Sequence, residues 1–522
     1  MTQSYARRLN VFSAPNAAHS LKSIKRGIEK ESLRVTSGGK LSQSPHPSTL
    51  GSALTHPSIT TDYSEALLEF ITPAFTDETA PLKFLDQVQH FVYANIEDEL
   101  LWVNSMPCLM ETENNIRIAE YGSSNIGKMK TVYRRGLGLR YGRLMQTIAG
   151  IHYNFSFPES FWQVLQESEQ NTDSLQDYIS TQYFGLIRNF QNYSPLLNYL
   201  FGASPAVCAS FLRDNSHHDL VPFKSSHTLH KPFATSLRMS DLGYQNDAQS
   251  NLSICYNSLE NYVKTLDHAI RTPYPKYQQI GVTANNEYQQ LNANILQLEN
   301  EYYGSIRPKR VTQTGERPTL ALQRRGVEYV EFRCTDLNPF LPLGIDQTQT
   351  RFYDVFALFC ALKESPICNQ DTLDMITENT RNSVMDGRNP QLMMQTEQGG
   401  QLFSAWAHEL LEAMIPAAEI LDSTGNQTHF MDALKEQVNK VNDPEQTPSA
   451  QVLKTLEDND IEFFQFAMGQ AKRFETQYKS TPLENKVEQD FMTLSKQSMQ
   501  DQQQLELECT QPFEQFIADY FK

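Results

Sequence analysis

Three short stretches of this chain put acidic or imidazole side chains at alternate positions, on one face of a strand, and in Gly150 to Phe157 the other face is apolar. The sheet they build must have one buried face and one wet, functional face. In Ile28-Glu29-Lys30-Glu31-Ser32-Leu33-Arg34-Val35 the two-residue period of a strand points Glu29 and Glu31 to one side. In Gly150-Ile151-His152-Tyr153-Asn154-Phe155-Ser156-Phe157, His152, Asn154 and Ser156 share one face while Ile151, Tyr153, Phe155 and Phe157 share the other. In Tyr329-Val330-Glu331-Phe332-Arg333, Glu331 and Arg333 project together.

An oxygen-rich pocket of this kind is what Mg-nucleotide chemistry needs. Magnesium takes oxygen ligands in near-octahedral geometry and bridges protein carboxylates to phosphates. The supply here is Glu29, Glu31, Asp62, Glu69 and Glu331, with His152 beside them. Glu69 interrupts an otherwise apolar run in the segment from Ile59 to Pro73. An unpaired carboxylate is costly to bury there, and a metal ion removes that cost.

The net charge of −17 and a pI near 5.2 argue against nucleic acid as the main partner, because phosphate backbones select basic surfaces. Two islands break the acidic background. Residues 121–150 hold Lys128, Lys130, Arg134, Arg135, Arg140 and Arg143 with no acid. Residues 305–326 hold Arg307, Lys309, Arg310, Arg317, Arg324 and Arg325 against Glu316 alone. Such segregation predicts that they face a triphosphate or substrate carboxylates, with Lys128 and Arg134 as nucleotide-binding candidates. The stretch Gly122-Ser123-Ser124-Asn125-Ile126-Gly127-Lys128-Met129 has the Walker A spacing, but Met129 stands where the Mg-binding hydroxyl belongs, so no P-loop is expected. His217, His218, His227 and His230 lie in a polar, Ser-rich stretch that reads as a surface loop.

Seven scattered cysteines, odd in number and never spaced as CxxC, indicate neither a disulfide framework nor a structural zinc site, and fit a reducing cytoplasm. The N-terminal stretch is basic without an apolar core, against a secretory signal. The longest apolar run, Val355 to Leu362, is too short to span a bilayer.

Residues 24–345 mix alternating segments, Gly-containing turns and a few helices, the texture of an α+β body around an antiparallel sheet. Beyond Pro342, helical spacing runs through 347–363, 371–386, 401–421, 428–442 and 458–478, with a Gln- and Glu-rich tail from 483. The expected organisation is a catalytic body over 1–345 and a mostly helical layer over 346–522 packed on it as one continuous unit.

The segments Arg26 to Val35, Gly51-Ser52-Ala53-Leu54-Thr55-His56, Ile59 to Pro73, Tyr121 to Asn125, Gly150 to Ser156, Thr235 to Tyr244, Ile306 to Arg310, Gly326 to Arg333 and Asp336 to Phe340 resemble, in this order, the proteobacterial glutamate-cysteine ligases. These belong to the glutamine-synthetase-like carboxylate-amine ligases. The likeness covers roughly residues 20–390. It implies a curved, largely antiparallel sheet forming a funnel, flanked by helices, with ATP entering one end and the amino acids the other. It implies ATP-dependent joining of the glutamate γ-carboxylate to the amine of cysteine through a γ-glutamyl phosphate, the first step of glutathione synthesis. A related ligase with another amine acceptor is the alternative.

By the same likeness, Glu29, Glu31, Asp62, Glu69, His152 and Glu331 hold divalent ions, Mg2+ or Mn2+. Arg333, with Glu331, serves the transferring phosphoryl group. Arg238, Tyr244 and Tyr303 surround the cysteine carboxylate, and Tyr63, Tyr133, Leu137, Gln146 and Asn154 its side chain and neighbouring polar groups. Tyr63 departs from the phenylalanine the family can carry there. Feedback inhibition by glutathione is a further expectation of the likeness.

Overall fold

The computed structural model describes residues 3–107, 109–212, 218–242, 252, 254–313, 315–425 and 428–522. Its centre is a seven-stranded antiparallel sheet. In chain order the strands are β1 (Lys25–Val35), β2 (Ile59–Thr61), β3 (Leu67–Ile71), β4 (Leu100–Leu101), β5 (Ile151–Ser156), β6 (Ile306–Lys309) and β7 (Tyr329–Thr335). In space they run β6-β7-β5-β1-β3-β2, with β4 pairing the far end of β1.

Register decides which side chains meet, because residues directly opposite in a ladder share a face. Glu29 stands opposite His152, Glu31 opposite Glu69, and Asn154 opposite Glu331, which itself faces Arg307. All three alternating stretches therefore lie in one sheet with their polar sides together. Between Phe332 and Thr335 the pairing of β7 with β5 shifts by a residue. On the other edge of β7 the Arg333 amide donates to Ser305 O at 2.8 Å, continuing the ladder with β6.

The opposite face is buried under helices α1 (Ala80–Asn95), α3 (Leu175–Phe201) and α4 (Gln347–Leu362). Phe190 of α3 packs on Phe332 at 4.5 Å between ring centroids, and Tyr353 of α4 on Tyr153 at 5.3 Å. Asp354 locks sheet to helix by accepting from Arg26 Nε at 2.7 Å and Tyr153 Oη at 2.8 Å. Lys30 and Arg34, which share β1 with the two glutamates, are buried on this face. Lys30 Nζ donates to Gln89 and to the Pro342 carbonyl, and Arg34 pairs with Glu99 at 2.6 Å. β1 is thus the middle of the molecule and carries opposite chemistry on its two sides.

The basic 121–150 island forms helix α2 (Asn125–Tyr141), lying over the functional face. Ser124 Oγ caps it by accepting from Gly127 N at 3.3 Å, so the Walker-like spacing is a helix N-cap. Beyond α4 come α5 (Phe403–Ser423), α6 (His429–Asn442), α7 (Phe463–Ser480), α8 (Asn485–Glu508) and the short α9 (Phe513–Tyr520), with further helices at Gln370–Asp386 and Pro448–Asp458. The hairpin Met393–Thr396/Gly399–Leu402 sits among them, where helical periodicity had given no hint of strands. The core is continuous: a single cluster joins Tyr5 and Phe12 at the N-terminus, the sheet, and Phe359, Phe403 and Phe491 of the helical layer.

Cys208 is disulfide-bonded, against the expectation of thiols throughout, while Cys255, Cys334, Cys360, Cys368 and Cys509 are free. Spacing along the chain could not reveal the bond, which depends on tertiary approach. Among the described residues no helix is long and apolar enough to cross a membrane.

Candidate active site

The polar face of the sheet, covered by α2, bounds a cavity of about 960 Å³. Its floor carries Glu29 and Glu31 from β1, Glu69 from β3, His152 from β5, and Glu331 and Arg333 from β7, with Asp62 just past β2. His152 Nδ1 lies 3.0 Å from Glu29 Oε2 and 3.8 Å from Glu331 Oε1, and its Nε2 is 4.0 Å from Glu31 Oε1. Glu29, His152 and Glu331 each offer a ligand atom within 4.8 Å of the others, a group that could hold a metal ion.

Electrostatics divide the carboxylates. Glu331 is buried, yet Lys309 at 3.2 Å and Arg333 at 2.9 Å outweigh the desolvation and hold its carboxyl well below the usual range. For Glu29, burial and the nearby Glu331 act to raise its pKa. The His152 hydrogen bond and charge, with Lys309, prevail and lower it. Glu31 and Glu69 go the other way. Burial, then the Asp62 charge, pushes Glu31 up to about 8 despite Arg238, Arg333 and the Gly150 N–H at 2.7 Å. Burial and the charges of Glu29, Asp62 and Glu31 hold Glu69 far above a normal carboxyl. Acids crowded into one buried cavity until burial and mutual repulsion raise the pKa of two of them are acids short of positive charge. A divalent cation supplies that deficit, and the all-oxygen set plus one imidazole suits Mg2+. Asn154, expected at the site, is outside the cavity lining; its Oδ1 is buried without a hydrogen-bond partner while its Nδ2 donates to Glu29 Oε1 at 2.9 Å.

Cations line the remaining walls. Lys130 and Arg134, one helical turn apart on α2, face the cavity, as do Arg307 and Lys309, two residues apart on β6. Burial, then the neighbouring Arg134, lowers the Lys130 pKa to about 8. Lys128, by contrast, is exposed and outside the lining. Two positions along a helix rotate a side chain by about 200°, which puts Lys130 where Lys128 was expected. Other island members are engaged by acids: Arg140 pairs with Glu301 at 2.9 Å and Arg317 with Glu299 at 2.9 Å, while Arg324 and Arg325 meet Glu316 of their own island. Segregation along the sequence is therefore only partly segregation in space.

Tyr63, Tyr133, Leu137, Gln146 and Tyr303 line the same cavity. The Tyr63 hydroxyl is buried without a hydrogen-bond partner and sits against Gly138, where a Cβ would approach it to 2.3 Å. Arg238 is buried behind the lining, its Nη2 donating to Arg333 O at 2.9 Å and its Nη1 3.7 Å from Asp336. Gly150 makes room for it, since a Cβ there would lie 2.1 Å from Arg238 Nη2. Tyr244 and His217 lie outside the described residues. His230 belongs to a strand and bonds Val221 O at 3.1 Å, and the metal-competent group among the described residues is the one in the cavity.

Sequence reasoning did not single out Met129, Leu298, Glu301 or Tyr520, all of which face the cavity. Lys130, Arg307 and Lys309 were visible only as island members. Strand periodicity in Ile306-Arg307-Pro308-Lys309 was a usable signal, whereas nothing local places Tyr520 at the cavity.

The profile of the glutamate-cysteine ligase family matches residues 9–383. The glutamate–cysteine ligase of Alcanivorax borkumensis is 54% identical over 519 residues, 98% of either chain. That of Pseudomonas putida KT2440 is 50% identical over all of this chain and 98% of its own. The likeness therefore extends through the helical layer beyond residue 390. The crystal structure of the Francisella tularensis glutamate–cysteine ligase in complex with AMP superposes with a TM-score of 0.90 at 36% identity, covering 96% of this chain and 97% of that one. A bifunctional glutathione synthetase from Pasteurella multocida, 24% identical with a TM-score of 0.70 over 89% of this chain and 54% of its own, shares the fold. The chain belongs to the glutamate-cysteine ligase family.

Proposed function

We propose that the protein joins L-glutamate to L-cysteine at the expense of ATP, giving γ-glutamylcysteine, ADP and phosphate as the first step of glutathione synthesis. The observation that carries this reading is the register of the sheet, which brings Glu29, Glu31, Glu69, His152, Glu331, Arg307 and Lys309 to one cavity, where Asp62 and the Lys130–Arg134 pair of α2 join them. A nucleotide as second ligand is supported by the AMP complex of the Francisella relative. Glu29, His152 and Glu331 form the candidate metal set, with Glu31, Asp62 and Glu69 beside it in the same cavity. Mg2+, or Mn2+ in its place, neutralises phosphate charge and orients the triphosphate when bound.

In the first step a γ-carboxylate oxygen of glutamate attacks the γ-phosphorus and ADP leaves. In the second the cysteine amine attacks the acyl carbon, the C–O bond to phosphate breaks, and the nitrogen loses a proton. Arg333, Arg307 and Lys309 meet charge on the moving phosphoryl group. Arg238, held behind Arg333, and Tyr303 serve the acceptor carboxylate, and Tyr63, Tyr133, Leu137 and Gln146 enclose the acceptor side chain. We place the reaction in the cytoplasm and expect glutathione, which contains both substrate fragments, to compete at the site.

The test is ADP release from Mg-ATP and L-glutamate with no acceptor, L-cysteine, L-alanine or glycine at equal concentration. Stimulation by cysteine with γ-glutamylcysteine detected by mass is expected. ADP formed only with another amine retires the cysteine assignment, and no ADP with any acceptor retires the ligase.

A further inference from the structure

On the helical side of the sheet, away from the catalytic cavity, three helices and the turns beside them enclose a second, open cavity of about 620 Å³. The two cavities share no lining residue. The N-terminal helix (Gln3–Phe12) supplies Arg7 and Arg8, α3 supplies Gly185 and Arg188, and the segment leaving α4 supplies Lys363 and Glu364. Arg7 and Arg8 belong to the basic N-terminal stretch, which the catalytic reading leaves without a part.

Four cations meet two acids here, Glu169 and Glu364. Arg8 is committed: its Nε donates to Glu169 Oε1 at 2.7 Å and its Nη1 to Ala361 O at 3.2 Å, at the end of α4. Arg188 is held by carbonyls instead of an acid. Its Nη1 donates to Tyr256 O at 3.0 Å, its Nε to Pro366 O at 3.0 Å and its Nη2 to Ser365 O at 3.1 Å. Carbonyls fix a guanidinium in place but leave its charge uncancelled, and Nη2 keeps a second hydrogen to give. Lys363 is half-buried, with Nζ 5.6 Å from the Phe359 ring centre and 5.9 Å from that of Tyr5. Among the described residues Arg7, Arg188 and Lys363 form no ion pair, in contrast to Arg8.

Gly185 exposes this charge. It stands inside α3, where glycine weakens a helix, and its φ is not left-handed. A Cβ there would lie 3.6 Å from Ser365 Cβ and 3.8 Å from Arg188 Nη2, which is ordinary contact, so packing does not require the glycine. Its bareness keeps the Nη2 edge of Arg188 open to the cavity.

We propose that this second cavity binds a small multivalent oxyanion, carrying phosphate or carboxylate groups, between Arg7, Arg188 and Lys363. Three uncancelled cations from three separate segments suit a ligand with more than one negative charge, and charge-assisted hydrogen bonds are the strong ones. The hydroxyls of Thr181 and Ser365 line the same space. The anion ties the N-terminal helix to α3 and α4, on which Phe332 and Tyr153 of the catalytic sheet rest, so its binding stabilises the fold from beneath the site.

The experiment titrates pyrophosphate and, separately, citrate into metal-free full-length protein by calorimetry and follows thermal unfolding with each. It compares wild type with the double variant Arg7→Gln/Lys363→Gln, with Gly185→Leu, and with Lys130→Gln in the catalytic cavity. At least one anion should bind wild type and raise Tm by about 2 °C at a hundredfold excess over Kd. The double variant should weaken that binding at least about tenfold, and Gly185→Leu should do the same by filling the space. Both should release ADP at the wild-type rate without added anion, and Lys130→Gln should still show the binding. The tighter anion assigns phosphate or carboxylate chemistry. No binding at millimolar concentration, binding unchanged in the double variant, or binding weakened only in Lys130→Gln overturns the proposal. The binding readout holds whether or not the protein is a ligase.

Discussion

Neutralising one of the crowded acids should make the metal-free protein more stable while it destroys the site, and Glu31→Gln is the sharpest case. The Glu31 carboxyl is pushed up to about 8 by burial first and the Asp62 charge second. Below pH about 4.5, folded and unfolded chains both carry its proton and the group contributes nothing. Between there and pH 8 the unfolded chain releases the proton that the folded one keeps. Stability then falls by about 1.4 kcal/mol per pH unit, to roughly 5 kcal/mol by pH 8. Glutamine removes that loss, although its NH2 group then faces the positive Arg238 and Arg333. Halving the figure for this leaves a gain of about 2–3 kcal/mol at pH 8 and none at pH 4.5. At about 2.1 cal/mol/K of unfolding entropy per residue, a chain this long has a melting entropy near 1.1 kcal/mol/K, so Tm should rise by about 2–3 °C. The assay is thermal unfolding of EDTA-treated protein across pH 4.5–8, repeated with excess Mg2+. Wild type should gain stability from Mg2+ through mass action and the variant should gain less. A variant less stable than wild type without metal at pH 8, or one stabilised equally by Mg2+, refutes the reasoning.

Glu331→Gln takes the central acceptor from Lys309 and Arg333, and should cut Mg-dependent ADP release at least about 100-fold while circular dichroism shows an intact fold; near-normal turnover would remove Glu331 from the machinery. Arg238→Ala should raise the cysteine KM about tenfold or more and the glutamate KM much less, and equal rises would make Arg238 a purely structural brace for Arg333. Arg140→Met removes the guanidinium that meets the fully buried Glu301 at 2.9 Å. It should cost about 3–5 kcal/mol, read as a Tm drop of about 3–5 °C, with much of the loss recovered when Glu301→Gln is added; no recovery would deny the coupling.

The functional half of the sheet was legible because its acids and imidazole recur at alternate positions. Glu29, Glu31, His152 and Glu331 could be assigned to one face from period two alone, and their mutual register then followed from strand pairing. The helix ends near 347, 386 and 442 were legible for the same reason, apolar residues recurring every three or four positions up to a polar break. What escaped was set by contacts between distant segments. Lys128 and Lys130 are equally basic in sequence, and only the orientation of α2 over the sheet separates them. Arg140 and Arg317 looked available for anions until Glu301 and Glu299 were brought beside them. Tyr520 continues the apolar spacing of Phe513, Phe516 and Ile517, but nothing local places it at the cavity, since that depends on Gly51 and Gly122 admitting α8 from more than 380 residues away.

The arrangement of β1 between β3 and β5 sets how the gene can tolerate length changes. An in-frame deletion of one codon inside β1 would exchange its two sides, sending Lys30 toward His152 and the glutamates into the aromatic layer beneath. No single further substitution could repair it, because both neighbouring ladders read the same frame. Drift in length belongs in the outer loops, and the eleven residues from Lys25 to Val35 can change in kind but not in number.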